Sequence, residues 1–95
     1  MPTATWEPHH RTAHGPLDAA ETNSLPASAF AFPHPRKEPM TDASHVRNAI
    51  ARFDQVKDVS DEERELAFAN IQKAAKHFGI QMSETNWRQL AAGQH

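Results

Sequence analysis

Val46, Ala49, Ile50 and Phe53 recur at i, i+3, i+4 and i+7, a spacing that an α-helix turns into one continuous apolar stripe. Asp42 stands just ahead of it as an N-cap, because its carboxylate can accept from free N–H groups of the first turn. A second stripe follows at Ala67, Ile71, Ala74, Ala75 and Phe78, with Phe68 at its edge. Ser60 and Glu63 have the spacing of a capping box. Asp61, Glu62 and Glu63 at the start, and Lys73, Lys76 and His77 at the end, suit the helix dipole. Gly79 comes next as a residue able to adopt positive φ. Ser83 is read as the cap of a short third helix, in which Glu84 and Arg88 pair at i, i+4. Trp87, Leu90 and Ala91 face inward there, and Gly93 stops it. So short a helix does not persist alone in water, so it must dock. The expected helices are about 43–55, 61–78 and 84–91.

The region before the helices reads differently. Residues 1–23 hold only Trp6 and Leu17 as large apolar side chains and show no periodicity, so they are expected to be a disordered leader. Residues 24–40 carry Leu25, Phe30, Phe32 and Met40, all expected to bury against the helices. Phe30 and Phe32 share one face of an extended chain. Pro33 and Pro35 forbid a central strand but permit an edge strand or an arm. Either a short hairpin between 29–32 and 37–40 or an arm lying across the helices fits. The fold class is mainly α: a compact three-helix module over 24–92 with an N-terminal extended aromatic arm or minimal β-hairpin.

Composition narrows function. Ninety-five residues allow one small domain. The chain has no cysteine, which removes disulfides, zinc-thiolate and iron–sulfur sites and thiol catalysis. No run approaches the ~18 apolar residues of a membrane span, and no signal peptide is visible. The expected setting is cytoplasmic. From Arg36 onward, nine Lys/Arg balance nine Asp/Glu, so the module lacks the basic excess that phosphate binding requires.

A resemblance rests on three segments. They are Leu25-Pro26-x-Ser28-x-Phe30-Ala31 with Arg36-Lys37-x-Pro39, then Asp42-x-x-His45-Val46-Arg47-Asn48-Ala49-x-Ala51-Arg52-Phe53-x-Gln55, then Ala74-Ala75-Lys76-x-x-Gly79-Ile80. Together they resemble a small bacterial and phage helical domain family of unknown function. Its members occur free-standing and attached to phage proteins, some associated with head assembly. The resemblance implies a fold unit beginning near Ser24 and supplies no activity. The Pro-rich 33–39 segment is shorter than the hairpin-like insert of many members.

His45, Asn48 and Arg52 lie at i, i+3 and i+7 on one stripe of the first helix, and Arg47 on a different side. Arg suits a carboxylate or phosphate, Asn a backbone amide, and His can donate or accept. These four residues are the candidate binding surface for an unknown protein partner. The competing reading is structural, with the same side chains ordering the irregular segments 54–60 and 24–40. His45 lacks a companion nucleophile, phosphate loop or paired carboxylates, so no enzyme and no cofactor is expected. His9, His10 and His14 form a second cluster, but a zinc site needs four ligands on a fixed scaffold, so no metal is expected. The alternative function is nucleic-acid binding through the third helix with Arg36 and Lys37. It is disfavoured by the missing basic face. Oligomeric state is not legible in the sequence.

Overall fold

The structure is a computed structural model of the 95-residue chain; it describes residues 3–8 and 19–91. His9, His10 and His14 lie outside the described residues. The elements are α1 (Ala19–Ser24), a 3-10 turn (Ala27–Ala29), β1 (Phe30–Phe32), β2 (Lys37–Pro39), α2 (Ala43–Arg52), a 3-10 turn (Phe53–Gln55), α3 (Asp61–His77) and α4 (Trp87–Ala91). Helix is the dominant element, with one two-stranded antiparallel sheet. The hairpin reading therefore prevails over the free arm, with Phe30 opposite Pro39 and Phe32 opposite Lys37.

The caps form as their chemistry dictates. Asp42 accepts from the His45 N–H at 2.8 Å. Ser60 and Glu63 make both bonds of the capping box, at 3.1 Å each. Gly79 sits at φ 74°, a conformation that costs glycine nothing. α4 departs from expectation. It starts at Trp87, and Asn86 rather than Ser83 supplies a side-chain acceptor, to the Arg88 N–H at 3.1 Å. The Asn86 carboxamide is correctly placed for that first turn, whereas Ser83 stands four residues ahead of α4.

The core joins Phe32, Met40, Val46, Ala49, Phe53, Ala67, Phe68, Ile71, Ala74, Ala75 and Leu90. Phe32 and Phe53 meet at 5.5 Å between ring centroids. Two expectations are corrected here. Phe30 does not share the main core with Phe32; it packs with Leu25 and Ala29 in a smaller cluster. β1 is buried along its whole length, with Phe30 in the smaller cluster and Ala31 and Phe32 in the main core. Phe78 is not a central core residue but half-buried at its margin. Phe53→Ala is therefore expected to cost about 3–5 kcal/mol, and Phe78→Ala clearly less, when both are measured by urea unfolding.

The largest correction concerns the leader. Trp6 is 0% exposed and belongs to the main core. Its indole N–H donates to the Met40 carbonyl at 3.0 Å. α1 adds a helix where no structure was expected. A lone tryptophan in a polar stretch has no periodic partner in sequence, so its burial depends on a cavity that only the assembled hairpin and α3 create. Among the described residues no helix is long and apolar enough to cross a membrane.

Candidate functional site

Two side chains tie distant backbone together, a role of the kind that the structural reading gives His45, Asn48 and Arg52 toward 24–40 and 54–60, but here it joins residues 5–6, 22–25 and 31. Asn70, 0% exposed in α3, is the first. Its Oδ1 accepts from the Thr5 N–H at 2.7 Å and the Trp6 N–H at 2.9 Å. Its Nδ2 donates to the Ala31 carbonyl at 2.9 Å and to Thr5 Oγ1 at 3.2 Å. Both lone pairs and both protons of the carboxamide are thereby used, which is the condition for burying it cheaply. The second is Arg36, at φ 57° in the hairpin turn. Its Nη2 donates to the carbonyls of Thr22, Asn23 and Leu25, the last at 2.7 Å, and its guanidinium lies 4.7 Å from the Phe30 ring centroid.

His45 closes locally, with Nδ1 2.8 Å from Asp42 Oδ1. Arg47, Asn48 and Arg52 are exposed, and among the described residues no hydrogen bond or ion pair of their side chains ties them to the hairpin or to the 54–60 loop. Arg52 instead stands at the wall of a cleft of about 430 Å³. Pro35, Lys37 and Glu38 form one side of it, and Gln55, Val56, Lys57 and Asp58 the other. The hairpin therefore brings together Arg52 and residues that the sequence reading did not group with it. Arg47 and Asn48 do not line this cleft.

The cleft carries two marks of a constrained site. Glu38 and Asp58 hold φ of 57° and 61°, left-handed conformations that side chains other than Gly, Asn and Asp disfavour. For Glu38 that means stored strain in a strand position beside a cavity. Burial also pushes the Glu38 carboxyl above its ordinary value of 4.5, while Arg52, Lys37 and His45 pull it back. A carboxyl that holds its proton more tightly folded than unfolded adds stability at low pH and loses it as pH rises through the folded value. Glu38→Gln removes that titration. The stability difference between the parent chain and Glu38→Gln is therefore expected to shift in favour of the variant as pH rises from 4.5 toward neutrality. Urea unfolding at several pH values checks it, and a pH-independent difference would show that Glu38 titrates as in solution.

Lys37, Glu38, Lys57 and Asp58 were not read as parts of one site in the sequence. The available signal was a pair of adjacent acid–base couples, Lys37-Glu38 and Lys57-Asp58, each in a loop or proline-flanked segment. The residues of the nucleic-acid alternative are engaged elsewhere. Arg36 is engaged with backbone carbonyls, and Arg88 lies 4.5 Å from the centroid of its neighbour Trp87 in a helix of five residues. Among the described residues no group of three acidic or histidine side chains could hold a metal ion.

A model of a family of unknown function (DUF6582) matches residues 8–85. The match starts well ahead of the fold boundary expected near Ser24. Neither a curated protein nor a solved structure matches the chain.

Proposed function

This chain belongs to the DUF6582 family, and we propose that it is a non-enzymatic protein-interaction or accessory module. Its contact face runs from Arg47 and Asn48 across Arg52 into the cleft with Lys37, Glu38 and Lys57. The observation that carries this reading is the convergence of Arg52, Lys37 and Lys57 on one open cleft, with no ion pair within 4.0 Å made by any of them among the described residues. Arg52, Lys37 and Lys57 outnumber Glu38 and Asp58 around this cavity, a balance that suits an acidic segment of a protein partner. His45 and Asp42 pair at the start of α2, which favours a capping role over catalysis. An accessory role attached to phage proteins, in the cytoplasm, is the biological setting that the resemblance of the His-Val-Arg-Asn-Ala segment favours. Capsid or packaging genes beside this one would support it.

The test is affinity capture with the full chain and with an Arg47→Gln/Arg52→Gln variant. An arginine at the centre of an interface is worth about 2 kcal/mol or more, so recovery of the partner is expected to fall roughly 30-fold. Equal recovery by both chains removes this face as the contact site.

A further inference from the structure

Among the described residues, each bond between the Thr3–Pro8 strap and the rest of the molecule reaches a partner distant in sequence. Asn70 Oδ1 receives two consecutive strap N–H groups, from Thr5 and Trp6. Ser28 accepts from the Glu7 N–H at 2.9 Å, and Met40 from the Trp6 indole at 3.0 Å. Lys73 Nζ stands 3.7 Å from Glu7 Oε1. The Trp6 ring meets the edges of His77 and Phe78 at 5.7 and 5.9 Å. These are the components of peptide recognition in a groove: backbone N–H groups read by a fixed acceptor, one deep apolar anchor and a charge pair at the rim.

We propose that the groove formed by α3, Ser28 and Met40 is a docking site for an extended segment bearing tryptophan followed by glutamate, and that its resident strap is exchangeable with the same segment of a second copy of this chain. The strap, with its tryptophan followed by glutamate, meets the groove at each position. Ten residues, 9–18, join it to α1, a length of chain that spans at most about 33–36 Å. None of its bonds depends on that connection, so the same set forms when the strap comes from another molecule. This groove shares no residue with the cleft of the proposed contact face.

Three measurements on the full chain test the proposal. A protease site is placed within residues 9–18 and the folded protein is cut. Native mass spectrometry is expected to find the strap still bound at micromolar concentration; its release overturns a separable docking site. A synthetic peptide of residues 1–10 is then added to Trp6→Ala. Its melting temperature is expected to rise by roughly 5–10 °C, with no change when the peptide carries alanine for tryptophan. The parent chain is expected not to respond, since its own strap competes at an effective concentration on the order of millimolar. A Trp6→Ala chain unmoved by the peptide overturns the proposal, and where that variant does not fold the cut chain decides. Refolding from denaturant at millimolar rather than micromolar concentration is expected to yield a dimer by size-exclusion chromatography, one that Asn70→Ala abolishes. Monomer alone at every concentration overturns exchange with a second copy.

Discussion

Trp6→Ala is expected to lower the stability of this chain by about 3–5 kcal/mol, a fall in Tm of roughly 15 °C or more. Two losses combine. Trp6 is fully buried, so truncation removes a large apolar surface and leaves a cavity between the hairpin and α3. It also strips the Met40 carbonyl of its indole donor. The loss is a large share of what a domain of this size possesses. Trp87→Ala provides the internal comparison. Trp87 is only half-buried, at the margin of the core, and the cost there is expected to be clearly smaller. Thermal melts of the three chains settle the order; a Trp6→Ala chain that melts within a degree or two of the parent would place the strap outside the cooperative unit.

Asn70→Ala is expected to cost about 2–4 kcal/mol, although it removes only a small polar side chain. The substitution deprives the Thr5 and Trp6 N–H groups of their acceptor and the Ala31 carbonyl of its Asn70 donor. Buried groups left unpaired carry a desolvation penalty of about 1–3 kcal/mol each, partly relieved where water reaches the half-exposed end. Asn70→Asp separates the polar contribution from packing. The carboxylate keeps two acceptors for the strap but cannot donate to Ala31, and it places a charge in a buried position. Its carboxyl is therefore raised above the unfolded value, so this variant is expected to be more stable at mildly acidic pH than at neutral pH. Urea unfolding of both variants over that range is the measurement. Equal stability of Asn70→Asp at both pH values would mean that the Thr5 and Trp6 N–H groups offset the burial of its charge.

Much of the fold was legible because it rests on local rules. The stripe at Val46, Ala49 and Phe53, the Asp42 cap, the Ser60–Glu63 box and the positive φ of Gly79 need only neighbours within one helical turn. The hairpin was legible as one of two alternatives, since Pro33 and Pro35 permit a turn without requiring it. α4 was misplaced at its start because Ser83 and Asn86 both qualify as caps, and packing of Trp87 and Leu90 chooses between them. The candidate site was legible only in part. Arg52 could be assigned to an exposed face of α2, but its neighbours Lys37, Glu38, Lys57 and Asp58 arrive from both sides of that helix in sequence.

Asn70 shows the limit most sharply. In sequence it is a polar residue inside a long helix, with no feature to separate it from a solvent-facing one. Its importance comes from three backbone groups, two of them more than 60 residues away, that converge on one carboxamide. Trp6 is the same case from the other end of those bonds. The positions and caps of α2 and α3 and their apolar stripes were determined by the sequence itself, because they depend on spacing and on groups a few residues apart. Which polar side chains serve as fasteners, and whether the first segment joins the core, was decided by tertiary structure, because each depends on partners brought together only when the hairpin closes against α3.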